Sequence, residues 1–130
     1  MPIDEKAILR TLQDMASALD AGDPGRVAEL WDEPALVLAD QGARAVATRA
    51  EVEAFFRGSI EWYRERGTRS AVPTLDRWER ISERIAAVDV TWRALDASGV
   101  EKDREASHYL MRTGDDGVAR VQVAMSRSEQ

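Results

Sequence analysis

The stretch EASHYLMR, residues 105–112, holds the only histidine of the chain. A neutral imidazole has an unperturbed pKa of about 6.5, which suits proton transfer near neutrality, so a histidine facing a pocket is a candidate general base. His108 shares strand phase with Ala106 and Leu110. That phase is expected to turn inward if Val88, Val90 and Trp92 of the preceding strand do so. The competing reading is a histidine held by hydrogen bonds in a mostly apolar wall. Asp89 stands in the other phase with Thr91 and Arg93, and on a convex sheet face it would pair with a nearby arginine. With the phase inverted, Asp89, Tyr109 and Gln122 would line the pocket instead. Trp31, Phe55, Phe56, Tyr63, Trp78 and Trp92 supply apolar surface, either as core or as walls of a ligand cavity. The tryptophans and tyrosines each carry a polar atom that needs a partner when buried.

Composition removes several classes of chemistry. The 130 residues contain no cysteine, which excludes disulfides, thiolate nucleophiles and cysteine-ligated metal. One histidine excludes a histidine-rich metal site, and no carboxylate group has calcium-loop spacing, so neither a metal nor a cofactor is expected. Lys plus Arg number 18 against 24 Asp plus Glu, a net charge of −6, which disfavours a nucleic-acid backbone as partner. The basic residues between Arg57 and Arg84 are interleaved with Glu61, Glu65, Asp76, Glu79 and Glu83, the pattern of a solvated, salt-bridged surface. The start, MPIDEKAILRTL, has neither the basic opening nor the apolar centre of a signal peptide. No run of about 18 apolar residues suggests a membrane span. A reducing cytoplasm is the expected setting. Phosphate-loop, dinucleotide and serine-hydrolase signatures are absent from the sequence.

The elements that must position these residues follow from periodicity. Ile8, Leu12, Met15 and Leu19 mark one face of a helix over about 4–21, which Gly22 ends. Asp23 as N-cap and Pro24 at the first helical position start a short second helix with Val27, Leu30 and Trp31 on its buried face. Residues 35–39 and 44–48 read as a small hairpin around DQG. Thr48 and Glu51 have capping-box spacing for a third helix, with Val52, Phe55, Phe56, Ser59 and Tyr63 along one side and Gly67 at its end. Residues 68–81 read as a strand in which Pro73 marks an edge or bulge. RIAAVDVTWRAL alternates clearly, residues 103–112 return after DASG, and ARVQVAM follows GDDG as the last strand. A polar tail, SRSEQ, closes the chain. The whole is expected to be one α+β domain over 1–130, with a one-sided antiparallel sheet covered by helices.

In this order, LWDEPALVLADQGARAVATRAEVEAFF (30–56) and VDVTWRALDASG followed by SHYLMRTGDDGVARVQVAM (88–125) resemble the nuclear transport factor 2-like superfamily, in particular its SnoaL-like and ketosteroid-isomerase-like branch. The resemblance implies a curved antiparallel sheet wrapped around three N-terminal helices, a cone-shaped apolar pocket, and a homodimer formed through the outer sheet face. The same scaffold serves isomerases, cyclases, dehydratases and binding modules, so fold alone does not set activity.

Carrying over the isomerase residues leaves gaps. The proton-abstracting carboxylate of the first hairpin strand falls at Ala39, with Asp40 one residue later, and a one-residue slip reverses the face of a strand residue. The first helix has no tyrosine, and the late-strand carboxylic acid matches His108 or Tyr109. For the SnoaL-like cyclases His108 matches the assisting histidine, with Asp40 or Asp89 as partner. The expected ligand pocket comprises Met15, Trp31, Phe56, Tyr63, Trp92 and His108, with His108 and Asp40 as catalytic candidates. A small hydrophobic molecule is the expected partner. Proton transfer on a hydrophobic ketone and a purely structural homodimer are the alternatives.

Overall fold

The computed structural model describes residues 2–127; Met1 and the last three residues of the polar tail lie outside them. Helix α1 spans Glu5–Asp20, α2 Pro24–Ala28 and α3 Arg49–Glu65; the strands are β1 (Trp31–Ala39), β2 (Gly42–Val46), β3 (Thr68–Arg80), β4 (Ile85–Asp96), β5 (Glu101–Thr113) and β6 (Ala119–Ser126). They form one curved, unclosed six-stranded sheet in the order β2-β1-β6-β5-β4-β3. The fold is α+β, with the helices on the inner face of the sheet.

Local chemistry explains the helix limits. Asp4 accepts a hydrogen bond from the Ala7 N–H at 2.9 Å and so caps α1. Ile8, Leu12, Met15 and Ala18 are buried along its inner side. At its end Gly22 takes φ +68°, a left-handed conformation that suits glycine. Asp23 then caps α2 through the Arg26 N–H at 3.1 Å. Thr48 Oγ1 accepts from the Glu51 N–H at 3.3 Å, while the Glu51 carboxylate takes the Ala47 N–H at 2.8 Å, one residue earlier than a strict capping box.

Three sequence expectations need correction. Trp31 opens β1 instead of ending α2, because the Leu30 carbonyl is taken by the Val121 N–H at 3.0 Å and Trp31 itself pairs with Val121. The first hairpin is correspondingly shifted to 31–39 and 42–46, and its two strands meet at Ala39 and Gly42. The sheet is not wholly antiparallel: β1 and β6 run parallel, because the first and last stretches of sheet lie side by side in the same direction. Pro73 sits on β3, an edge strand, where a missing N–H leaves no ladder partner unsatisfied.

The core lies between α1 and the inner sheet face, with Ile8, Leu12, Val88, Val90, Met111 and Val121 essentially without exposed surface. Thr11 is buried among them and donates its hydroxyl to the Ala119 carbonyl at 2.6 Å, tying α1 to β6. Ile8→Ala is expected to cost about 2–5 kcal/mol through lost burial and a residual cavity. Thr48→Ala is expected to cost about 1 kcal/mol through loss of the cap. Urea unfolding should show both as lower midpoints at unchanged slope.

Candidate functional site

Toward the open end of the cone the core gives way to a cavity of about 240 Å³. Its helical wall is built from Met15 and Leu19 of α1 and from Phe55, Phe56, Ser59, Ile60 and Tyr63 of α3. The apolar side of α3 is therefore mostly cavity wall, and Val52 is its one fully buried residue. The sheet wall is built from Trp31 and Val37 of β1, Trp92 of β4, Glu105, Ser107 and Tyr109 of β5, and Ala124 of β6. Trp31 and Phe56 meet edge to face with ring centroids 5.4 Å apart, a favoured aromatic geometry.

Met15, Trp31, Phe56, Tyr63 and Trp92 are thus brought together around one space, and His108 is not. In the β4–β5 ladder Asp89 lies opposite His108 and Val88 opposite Tyr109. Directly opposed residues project to the same face of a sheet. Since Val88 and Val90 are packed in the core, Tyr109 and Ser107 turn inward, and His108 and Asp89 turn outward. On the outer face His108 Nδ1 lies 2.5 Å from Asp89 Oδ1. Arg127 stands nearby, with Nη1 3.7 Å from Asp89 Oδ2 and Nη2 3.0 Å from Asp76 Oδ2. The ring is anchored in a surface ionic group and does not reach the cavity.

Asp40 is exposed in the turn between β1 and β2, away from the cavity. The β1 residues that do face it are Trp31 and Val37, so that strand presents no carboxylate. Gln122 is held elsewhere, donating its side-chain N–H to the Pro34 carbonyl. The residues that sequence reasoning undervalued are Glu105, Ser107 and Tyr109. Their shared phase on β5 was the available signal, but Ala106, His108 and Leu110 form an equally plausible inward set until the register is known.

Two hydrogen-bonded pairs stand among the polar groups of the cavity. Trp92 Nε1 donates to Tyr109 Oη at 2.9 Å, and the Ser107 side chain is a further hydrogen-bond partner of the phenol. Burial pushes the Tyr109 hydroxyl up to about 12, so it stays protonated. Nearer the mouth, Tyr63 Oη approaches Glu105 Oε2 at 3.5 Å. Tyr63 is also pushed up to about 12, first by burial and then by the Glu105 and Asp103 charges. Burial raises the Glu105 carboxyl above its usual range. Trp31 Nε1 is buried without a hydrogen-bond partner among the described residues, so one indole donor of the wall is uncommitted.

A curved sheet closed by helices around an off-centre cavity defines an NTF2-like domain of the cystatin-like fold. The chain belongs to the DUF6841 family of NTF2-like proteins, whose family model matches residues 4–129. Among solved structures it is similar to a domain of unknown function with a cystatin-like fold from Nostoc punctiforme, with TM-score 0.77 and 21% identity over 98% of this chain and 78% of that one. It is also similar to an NTF2-like protein from Novosphingobium aromaticivorans, with TM-score 0.75 and 16% identity over 95% and 80% of the respective chains. A ketosteroid isomerase-like protein from Erwinia carotovora atroseptica superposes with TM-score 0.64 and 15% identity over 98% and 100%. At these identities the likeness is one of fold. Comparison with curated proteins gives no match.

The two tyrosines are the only ones in the chain, which makes their burial measurable. Each phenol holds its proton to about 12 in the folded chain, against a reference of 10.0. Between those values the unfolded chain binds fewer protons, so stability is expected to fall as pH rises from 10 towards 12 and to be unaffected by these groups below 10. Tyrosinate absorbance of the folded protein should remain small at pH 10 and grow only as unfolding begins. Half-titration near pH 10 with the fold intact would contradict the enclosed placement of both rings.

Proposed function

We propose that this domain binds a small hydrophobic molecule in the cavity between α1, α3 and the inner sheet face, and that binding, not turnover, is its role. The observation that carries this reading is an open cavity walled by aromatic rings with a few placed polar groups at one side, the composition typical of small-molecule sites. Its volume of about 240 Å³ lies just below the roughly 300–1,000 Å³ of sites for drug-sized ligands. The matching ligand is a body of one or two rings. Against proton-transfer chemistry of the isomerase kind stand the position of Val37 on β1, the exposure of Asp40 and the outward turn of His108.

We further propose that the domain acts as a homodimer in a cytoplasmic setting. Leu36, Val123, Leu110 and Ala87 lie side by side across four strands on the outer sheet face. All four are only partly buried in the single chain. Such a contiguous apolar row is what a paired sheet face would cover. No helix among the described residues is long and apolar enough to cross a membrane.

The binding reading is tested with 2-naphthylmethanol, followed through the indole N–H signals of the four tryptophans in a nitrogen–proton NMR spectrum. Trp31 and Trp92 should shift on titration while Trp62 and Trp78, outside the cavity, should not. Ser59→Phe, which fills the cavity from α3, is expected to weaken binding at least about tenfold, roughly 1.4 kcal/mol. His108→Ala should leave affinity unchanged. Equal shifts at all four indoles, or binding indifferent to Ser59→Phe, would refute the proposed site. For the dimer, light scattering should give twice the 14.5 kDa chain mass, and Val123→Lys should return the protein to a single chain.

A further inference from the structure

The β4–β5 end of the sheet brings charged residues to the rim of the cavity. On the inner face, β5 presents Asp103, Glu105, Ser107 and Tyr109 in succession, and Ala94 and Trp92 of β4 lie opposite the first two. The arginines of the same stretch, Arg93 and Arg104, lie opposite each other in the alternate phase and border the cavity at its rim, where Arg104 pairs with Glu101 at 3.0 Å. Two carboxylates therefore sit on the inner face of this stretch, with two guanidiniums at the rim beside them.

Glu105 is the less committed of the two carboxylates. Asp103 Oδ1 accepts the Arg104 backbone N–H at 2.8 Å, whereas Glu105 has Tyr63 Oη at 3.5 Å as its hydrogen-bond partner. Among the described residues no lysine or arginine nitrogen lies within 4.0 Å of its carboxylate. Its direct neighbour on the same face is the Trp92 side chain, at the separation of opposed residues, about 4.5–5.5 Å between Cβ atoms. Arg69 and Arg64 are further cations of the rim. Arg69 Nη1 donates to the Thr68 carbonyl at 3.1 Å. The Arg64 guanidinium lies against Gly22 and fills the space that a Cβ there would need.

We infer that the ligand of this cavity is a hydrophobic amine in its protonated form, with Glu105 as counter-ion and the Trp92 and Tyr63 rings flanking the ammonium group. This rests on the binding role proposed above and specifies its chemistry. A carboxylate without a cationic partner at the edge of an apolar cavity is satisfied by a ligand ammonium, and aromatic faces beside it add a cation–π attraction. The charge of the Glu105–Asp103 pair already reaches Tyr63, whose phenol it helps to hold protonated. Ser107 and Tyr109, deeper along the same strand face, are left to receive a polar substituent on the ligand body.

Three probes of one shape separate the possibilities: 2-naphthylmethylamine, 2-naphthylmethanol and 2-naphthoate, measured by calorimetry on the full chain at neutral pH. The amine is expected to bind at least about tenfold tighter than the alcohol, and the carboxylate weakest. Glu105→Gln should bring the amine to within about twofold of the alcohol, with an unchanged far-UV circular dichroism spectrum showing that the variant is folded. Asp103→Asn should narrow the amine preference by a smaller factor. Equal affinity of amine and alcohol, or an amine preference that survives Glu105→Gln, would overturn the ligand class while leaving the binding role standing. Tightest binding of the carboxylate would overturn it in favour of the rim arginines. Failure of all three to bind would remove the binding role and this inference with it.

Discussion

The register between β4 and β5 is the constraint on which the rest of this molecule depends. With Val88 opposite Tyr109 and Asp89 opposite His108, one face of the ladder carries Val88, Val90, Tyr109 and Met111 into the core, and the other carries Asp89 and His108 into an ionic group with Arg127 and Asp76. Strand side chains alternate with a period of two, so a slip by one residue would exchange whole sets. It would drive Asp89 towards the buried, mostly apolar side of α1 and expose valines that now have no accessible surface. The penalty for burying unpaired charge makes the observed register the only low-energy choice.

The cavity follows from how α3 is held. Its first turn is fastened by the Thr48 cap, by the Glu51 bond to Ala47, and by Arg49 pairing with Glu29 at 2.9 Å. That ion pair is largely solvent-exposed and contributes little by itself, so the helix is held mainly by the burial of Val52 and by packing on α2. Past its first turn the helix stands off the sheet. Phe55, Phe56, Ile60 and Tyr63 then face space that the sheet side chains do not fill. Aromatic surface bordering an open cavity can be covered by a ligand.

Within the NTF2-like fold, chemistry is decided by a handful of inward positions and not by the scaffold. Here the β1 position is Val37 and the β5 positions are Glu105, Ser107 and Tyr109. A protonated phenol bonded to an indole, and a carboxyl beside a second phenol, can orient a bound molecule through hydrogen bonds and charge. The arrangement separates a polar strand wall from an apolar helical wall, which favours a ligand with the same two-sided character.

Much of this was legible in the amino-acid order. Spacing of Ile8, Leu12 and Met15, the caps at Asp23 and Thr48, and the alternation around Val88 and Trp92 determined the helices, the strands and the α+β class, because each signal is local and each residue's neighbours along the chain generate it. The same holds for Met15, Phe56, Tyr63 and Trp92 as inward residues, since their elements have one clear apolar face. The phase of β5 was different: Ala106, His108 and Leu110 compete evenly with Ser107, Tyr109 and Met111 in apolar character. Only pairing with a neighbour of unambiguous phase decides between them. The parallel contact of β1 with β6, the start of β1 at Trp31 and the outward fate of His108 were likewise set by tertiary structure, because each depends on hydrogen bonds to residues far along the chain.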